Sequence, residues 1–361
     1  MRILSRQLGL LLFTLFLMFC VAEFFLRTFA PLHSVGHIDW FQYDEELAVR
    51  IKPDIHDLQL SDHLAEMKVN TIGTINFQES FHAYDVLVFA AGDSFTQGAG
   101  VAADASYPFQ LDLLLNTESG IYRPQYGVIN LGLAAYGADQ AMLAIERYAE
   151  LIGAPDFILY FGCSNDFVDD QKFEQGYRHQ HLIDGNPRYG IWTDLLQFLL
   201  NEVQVFKRAK FAVARIRDRL RDESSTNSTS RAPAQYPDPH GLLNIARRQE
   251  PKFDKLLGVA QRLGAVLIVS WTDMIGRDNG SYAWLKEWAD ANGAGFADWH
   301  PGVESVRQAM PQIPTGNPHS GGHHRTWVNS VIAGAYLDQM MRSLESGSQS
   351  PVSRPGTDRR Q

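Results

Sequence analysis

Hydrophobic and polar positions alternate along most of the chain in a way that predicts a strand–helix–strand order. Five short apolar runs are typical of buried strands: residues 86–90, 126–131, 157–161, 265–270 and 295–297. Segments with apolar residues at helical spacing lie between and after them: residues 107–115, 139–152, 242–263, 282–291 and 329–344. This alternation predicts an α/β fold with a central parallel sheet and helices on both of its faces.

The first 30 residues follow a different pattern. Residues 8–22 carry no charge, and with the apolar residues 24–26 the run approaches the roughly 20 residues that a membrane-spanning helix needs. We interpret residues 1–30 as an uncleaved signal anchor. A secretory signal cleaved after Ala22 and a buried soluble helix are the alternatives. In the first two cases the N-terminal arginines stay inside, and the rest of the chain lies outside the cytoplasm.

The segment that precedes the strand–helix alternation mixes aromatic and polar residues. Within residues 31–84, the run 69–75 predicts a strand with a turn. We therefore expect a small β-rich segment at 31–84, packed on a main domain that spans residues 85–345.

Three later segments do not fit the strand–helix pattern. Residues 192–220 predict a helix that becomes basic, with a face that meets either solvent or an anionic partner such as lipid or an acidic polymer. Residues 223–239 are rich in Ser, Thr, Asn and Pro and predict a mobile loop inside the main domain. Residues 346–361 are polar and predict a disordered tail.

Composition excludes several classes of protein. The chain has 361 residues, of which 45% are hydrophobic and 11% aromatic, so it can bury a sizeable core and is not globally disordered. A net charge of −9 argues against a nucleic-acid groove. Of the two cysteines, Cys20 lies in the apolar N-terminal run and Cys163 lies beside a candidate motif, which argues against a structural disulfide.

A candidate nucleophile follows the first predicted strand. Residues 90–98 read AAGDSFTQG, which places Ser94 at the end of a buried strand between residues that permit a sharp turn. Such a turn exposes the serine Oγ, and the start of the next helix offers free N–H groups to a developing oxyanion. In the alternative interpretation, Asp93 or Ser94 only caps that helix.

Two further stretches offer oxyanion donors. Residues 130–140 follow the second strand, and their small side chains let a backbone N–H approach a ligand, although a tight turn alone also explains them. Asn165 follows the third strand, at the edge where open parallel sheets bind ligands. Its amide can donate to an oxyanion, or it is a turn or capping residue. Cys163 is a second candidate nucleophile, with a poorer setting than Ser94.

A histidine-rich stretch precedes the last predicted helix. Residues 317–325 read NPHSGGHHR, and a serine nucleophile needs a histidine of this kind as its general base. The same histidines could be metal ligands. However, no His-x-x-x-His lies on a helix and no carboxylate lies among them, so we expect neither a metal nor an organic cofactor.

Together these stretches resemble the GDSL/SGNH hydrolase family over residues 86–344. The family's blocks are a Gly-Asp-Ser turn, a glycine after the second strand, an asparagine after the third and a late Asp/His pair. The resemblance implies a three-layer, flavodoxin-like α/β fold with Ser94 as nucleophile. It also implies an oxyanion hole made of three groups: the N–H groups of Ser94 and Ala135 and the amide of Asn165.

Two positions depart from the family's pattern. The glycine of the second block falls on Ala135, which can serve through its backbone N–H if its φ is negative. Before His319, the expected base, Asn317 stands where the family has aspartate, and an amide cannot stabilise an imidazolium as a carboxylate does. Either a Ser–His dyad operates, or Asp298 or another acid substitutes, or activity is weak; His323 is the alternative base.

The N-terminal pattern also resembles membrane-anchored bacterial members of this family. This implies a single-pass inner-membrane protein whose catalytic domain faces the periplasm. Its substrate would be an ester-linked acyl group, such as acetyl, on an envelope carbohydrate or lipid or on a small molecule. An O-acyltransferase acting on an extracellular polysaccharide is one alternative. A non-catalytic envelope protein on a hydrolase scaffold, suggested by Asn317, is another.

Overall fold

The computed structural model describes residues 2–30, 40–60, 64–117, 124–176, 195, 199, 203–206, 208–209, 243–244, 247–272, 280–317 and 322–346. The chain divides into two compact units. One contains Met1–Gly36 and Asn186–Tyr236, and the other contains His37–Gly185 and Pro237–Gln361. The predicted loop at 223–239, the tail from 347 onward and most of the predicted basic helix lie outside the described residues.

The first unit contains helix α1, Arg2–Phe29. Within it, Arg6–Phe29 is long and apolar enough to cross a membrane, and most of its side chains are exposed in the protein itself. A secretory signal near an N-terminus can meet the same criteria of length and composition, so the choice between an anchor and a cleaved signal stays a prediction.

Two antiparallel hairpins begin the second unit. Strands β1 (Phe41–Asp44) and β2 (Ala48–Ile51) form one, and β3 (His56–Leu60) and β4 (Leu64–Lys68) form the other. Of the strand with a turn predicted at 69–75, the turn is present but the strand is not, because that segment turns around Asn70. The Asn70 amide donates to the Thr74 hydroxyl at 2.8 Å and its oxygen accepts from the Thr74 N–H at 2.9 Å, which replaces strand pairing.

The central sheet is parallel and has five strands in the described part of the chain. They are β5 (Val86–Gly92), β6 (Tyr126–Asn130), β7 (Phe157–Cys163), β8 (Val266–Thr272) and β9 (Gly295–Phe296), in the spatial order β6-β5-β7-β8-β9. Counted within the sheet, this order is 2-1-3-4-5, which is that of flavodoxin-like folds. The predicted fold class is therefore confirmed.

Helices cover both faces of this sheet. They are α2 (Ser94–Gln97), α3 (Tyr107–Thr117), α4 (Ala138–Ile152), α5 (Asp166–Glu174), α6 (Glu250–Leu263), α7 (Ser281–Asn292), α8 (His300–Ala309) and α9 (Thr326–Glu345).

Neighbouring residues of β7 show the three layers directly, because adjacent strand residues point to opposite faces. The Tyr160 ring packs against Phe253 of α6, with ring centroids 5.7 Å apart. The Phe161 ring packs against Tyr107 of α3 at 5.6 Å and Tyr336 of α9 at 6.5 Å.

Three helices differ from the prediction. Helices α5 and α8 were not expected, and the helix expected at 242–263 is interrupted at Gln249, where Pro251 occupies the first turn of α6. The buried residues of α5 are aspartates, and α8 buries only Val303. Neither helix therefore has the apolar stripe from which a helix is usually predicted.

Candidate active site

Ser94 and Asn165 lie at the same edge of the sheet. Ser94 follows β5 and Asn165 follows β7, and these two parallel strands are neighbours. Strand β5 is flanked by β6 on one side and β7 on the other, so the connections leave in opposite directions at this point. Open α/β sheets bind ligands in the crevice formed there.

The turn after β5 presents the serine. Gly92 has φ +149°, and a Cβ on it would come within 2.5 Å of Thr96 Oγ1 and 2.7 Å of the Phe161 carbonyl oxygen. The Asp93 carboxylate caps α2 by accepting from the Phe95 N–H at 2.9 Å. Asp93, Phe95 and Thr96 are buried, whereas Ser94 is partly exposed. The capping interpretation therefore holds for Asp93, and Ser94 is left accessible.

His323 is the histidine that contacts the serine. Its Nε2 lies 2.7 Å from Ser94 Oγ, and its ring packs on Phe95 with centroids 4.8 Å apart. His319, the base preferred from the sequence, lies outside the described residues. Helix α9 begins at Thr326, three residues before the predicted start at 329, so His323 lies three residues before the helix.

Asn317 closes the loop that carries His323. Its backbone N–H donates to the His323 carbonyl oxygen at 2.8 Å, and its carbonyl oxygen accepts from the Gly322 N–H at 3.0 Å. Its buried side-chain amide donates to the Gly100 carbonyl oxygen at 3.1 Å, on the segment that follows the serine helix. Asn317 thus links the histidine loop to the serine segment; its part in orienting the base stays a prediction.

His324 and Thr272 are site residues that the sequence analysis missed. His324 Nε2 lies 3.1 Å from the hydroxyl of Thr272, the last residue of β8. Burial lowers the pKa of His324 to about 3, and the neighbouring His323 and His300 act in the same direction, so His324 is neutral at physiological pH. The predicted strand ended at residue 270, two residues before Thr272, so the sequence did not indicate this contact.

Ala135 does not meet the condition set from the sequence. Its φ is +71°, whereas an alanine was expected to serve only with a negative φ. The physical reason is the tight turn between β6 and α4, in which the Tyr136 N–H donates to the Leu133 carbonyl oxygen at 3.0 Å. The backbone adopts the left-handed conformation that glycine favours, so this alanine is strained.

Replacing Ala135 by glycine is expected to stabilise the protein by about 1 kcal/mol, because the left-handed conformation penalises a Cβ. Urea unfolding of the full chain in detergent measures the change. Ala134, whose φ is not positive, is the matched control, and Ala134→Gly is expected to lose about 0.5–1 kcal/mol. Equal effects of the two substitutions would contradict the assignment of strain to position 135.

Asn165 lies beside the nucleophile, and both of its described donor contacts go to carboxylates. Its Nδ2 donates to Asp93 Oδ2 at 3.2 Å and to Asp169 Oδ2 at 3.0 Å. The other oxygen of Asp169 accepts from Lys172 Nζ at 2.9 Å, so this carboxylate is held on both sides. The amide is therefore well positioned, but in the free protein its N–H groups bond to these aspartates.

Several carboxyl groups around Asn165 are buried. Burial raises the pKa of Asp93 to about 7, and the charge of Asp169 acts in the same direction. Burial also raises the pKa of Asp170 to about 7 and that of Asp166 well above its usual value. These aspartates hold protons at a pH where exposed ones are ionised.

We expect the protein to unfold at a higher temperature at pH 6 than at pH 8. Between about pH 4 and 7 the folded chain holds protons on Asp93, Asp166 and Asp170 that the unfolded chain has lost, so stability falls as pH rises. His324, whose pKa is depressed, opposes this only below its unfolded value of 6.5.

Thermal melts of the full chain in detergent test this pH dependence. Asp170→Asn keeps the shape of the side chain and removes one titrating group, so the difference between the two pH values should shrink. A melting temperature that rises from pH 6 to pH 8 would contradict the account.

Asp298 and Cys163 are the other two candidate site residues from the sequence. Asp298, the alternative acid for orienting the histidine, instead accepts a hydrogen bond from the Tyr282 hydroxyl through Oδ1 at 2.7 Å. Cys163 is fully buried at the end of β7. Among the residues that the structure describes, no three His, Cys, Asp or Glu side chains are grouped to hold a metal ion.

Comparisons with known proteins found similarity only among solved structures, since no family model and no curated protein matches. The chain is similar to a lipolytic G-D-S-L family protein from Veillonella parvula, with 12% identity, TM-score 0.40, and coverage of 71% of this chain and 99% of that one. It is also similar to a putative lipolytic G-D-S-L protein from Desulfitobacterium hafniense, with 12% identity, TM-score 0.38, and coverage of 70% of this chain and 99% of that one. A third similar structure is an alpha/beta hydrolase from the metagenome of Lake Arreo, Spain, with 14% identity, TM-score 0.39, and coverage of 72% of this chain and 96% of that one.

Proposed function

We propose that this protein is a serine esterase that removes ester-linked acyl groups through an acyl intermediate on Ser94. The observation that carries the proposal is the 2.7 Å contact between Ser94 Oγ and His323 Nε2, at the ligand-binding edge of the sheet. A nucleophile and a base within hydrogen-bond distance form the functional core of such enzymes.

In the first half of the reaction, His323 Nε2 accepts the proton of the Ser94 hydroxyl while Oγ attacks the ester carbonyl carbon. The tetrahedral intermediate collapses, the bond to the alcohol oxygen breaks, and the departing alcohol takes the proton from His323. In the second half, His323 accepts a proton from water, which attacks the acyl-serine. The carboxylic acid leaves, and the proton returns to Ser94.

The oxyanion needs donors on the opposite side of the carbonyl. The Ser94 N–H lies at the first position of α2, where a helix supplies no internal acceptor. We assign the Asn165 amide as a further donor; Ala135, whose φ is +71°, does not meet the condition under which its N–H was expected to serve. One N–H of Asn165 then leaves Asp93 for the oxyanion, and a protonated Asp93 is a weak competitor for it.

Asn165→Ala is expected to lower kcat for p-nitrophenyl acetate by about 10²-fold, because one oxyanion donor is lost. KM should change little if the amide acts mainly in the transition state. Asp169→Asn is the companion variant: it keeps Asn165 but weakens the contact that holds it. An Asn165→Ala enzyme with unchanged kcat would remove this residue from the oxyanion hole.

We further propose that the substrate is an acyl group, such as acetyl, on an envelope carbohydrate or lipid. The protein would be held in the inner membrane by α1, with the catalytic unit in the periplasm. The support is the apolar helix, its N-terminal arginines and the resemblance to anchored family members.

Product analysis tests the reaction type. With p-nitrophenyl acetate and no acceptor, the full chain in detergent should release acetate and p-nitrophenol in equal amounts. A sugar acceptor that lowers the acetate yield and becomes acetylated would show a transferase. The absence of any turnover would favour a non-catalytic role on this scaffold.

A further inference from the structure

A carboxylate interrupts the apolar surface of helix α1. Glu23 lies within the segment that is long enough to span a membrane, where an unpaired charge is costly. Its oxygens accept from the backbone N–H groups of Gln204 and Val205, each at 3.0 Å, and from Arg27 Nε at 2.7 Å. Three donors therefore satisfy this side chain, and two of them come from a segment about 180 residues away along the chain.

The contact continues along α1 on both sides of Glu23. The Phe19 and Phe206 rings lie 5.7 Å apart, and the Arg208 guanidinium donates to the Ala30 carbonyl oxygen. From Phe19 to Ala30 the chain advances about 16 Å at 1.5 Å per residue. The described residues 204–206 and 208 thus contact α1 at points between Phe19 and Ala30.

The segment also has an apolar side that continues beyond this contact. Leu195, Leu199, Val203 and Phe206 follow each other at helical spacing. Val203 is buried, whereas the Leu195 side chain is 45% exposed. From 207 to 221 the sequence carries seven Lys or Arg and one Asp. An apolar stripe followed by concentrated positive charge is typical of helices that lie at an anionic membrane surface.

We propose that the segment containing Leu195, Leu199, residues 203–206 and residues 208–209 lies in the outer headgroup layer of the membrane that α1 spans, where it binds anionic phospholipid. The Glu23 contact fixes its depth: Glu23 precedes the end of α1 by six residues, or about 9 Å. The membrane is the occupant because the segment is bonded to the membrane helix itself. This inference rests on the proposed membrane anchorage and is independent of the proposed esterase activity.

One consequence concerns the N-terminus. Cleavage after Ala22 would remove Phe19 and leave Glu23 as the first residue, so the contacts described here belong to an uncleaved chain. The proposed position of the segment therefore requires a retained anchor, which stays a prediction.

Fluorescence quenching in vesicles of phosphatidylethanolamine and phosphatidylglycerol tests the position. Full-length protein with Cys20→Ser carries one labelled cysteine, at Leu195→Cys or, as the matched control, at Leu12→Cys within the apolar run; the buried Cys163 stays unlabelled. The Leu195 label should be quenched about twofold more by headgroup-level nitroxide lipid than by deep nitroxide lipid, with the reverse order for Leu12. Quenching of the Leu195 label by aqueous iodide alone would overturn the proposal.

Two further experiments test separately the need for anionic lipid and the role of Glu23. Replacing phosphatidylglycerol by neutral phosphatidylcholine should lower headgroup-level quenching about twofold, and unchanged quenching would overturn the anionic-lipid part.

Glu23→Leu should lower quenching at Leu195 while the protein stays in the membrane; unchanged quenching would overturn the role of Glu23. Extraction by alkaline carbonate would overturn membrane anchorage and this inference together, whereas p-nitrophenyl acetate turnover on the same samples reports the esterase separately.

Discussion

Replacing His323 by glutamine is expected to lower kcat for p-nitrophenyl acetate by about 10⁴-fold, the upper end of what general acid–base catalysis contributes. The reason is geometric: His323 Nε2 lies 2.7 Å from Ser94 Oγ, and a glutamine at this position cannot accept the serine proton. His319→Gln is the matched control and is expected to change kcat by less than about tenfold. The pair of variants decides between the two histidines that the sequence left open.

A structural control accompanies this comparison. His323→Gln should unfold at the same urea concentration as the wild type within experimental error, because the His323 side chain is partly exposed and its loop is tied through the backbone by Asn317. An inactive His319→Gln enzyme beside an active His323→Gln enzyme would contradict the assignment of the base.

Ser94→Ala is expected to abolish turnover, with a loss of at least about 10⁴-fold. The substitution removes the nucleophile and little else, since Asp93, not Ser94, caps α2 and the serine is partly exposed. Cys163→Ala is the companion variant, because the thiol is the other candidate nucleophile at this edge. It should retain activity within about tenfold, since Cys163 is fully buried. Loss of activity in Cys163→Ala alone, at unchanged stability, would contradict Ser94 as the nucleophile.

The sheet could be predicted from the sequence because buried parallel strands are continuous apolar runs. Strands β5 and β7 are buried along their whole length, and both were expected within two residues of their observed ends. Helix α5 could not be predicted in this way, since its buried residues are aspartates held by tertiary contacts. At 69–75 the expected turn is present and the expected strand is absent, because the hydrogen bonds of Asn70 do not appear in a hydrophobic pattern.

The site residues also divide into those that could be predicted from the sequence and those that could not. Ser94 and Asn165 could be identified because each directly follows a predicted strand, and strand order then brings them to one edge. The choice among histidines could not be made, since it depends on how Asn317 closes the loop against Gly100, more than 200 residues away. The conformation of Ala135 likewise depends on a turn that propensity does not reveal.

The residue that orients His323 also could not be predicted from the sequence. Asn317 drew attention because it stands where a carboxylate was expected, and the structure gives its amide a bond to the Gly100 carbonyl oxygen. An aspartate there would place a carboxylate against that carbonyl. Asp298, the alternative acid, is bonded to Tyr282. Which group orients His323 is a property of the folded loop that residue spacing alone did not predict.

The rate at which a fluorophosphonate modifies Ser94 tests the central claim most directly, because the adduct forms only on an activated serine and does not turn over. In the wild-type protein, peptide mass mapping should place the adduct on Ser94, and His323→Gln should slow its formation by about 10³-fold or more. Modification of a different residue, or an equal rate in the two proteins, would contradict the account that His323 activates Ser94.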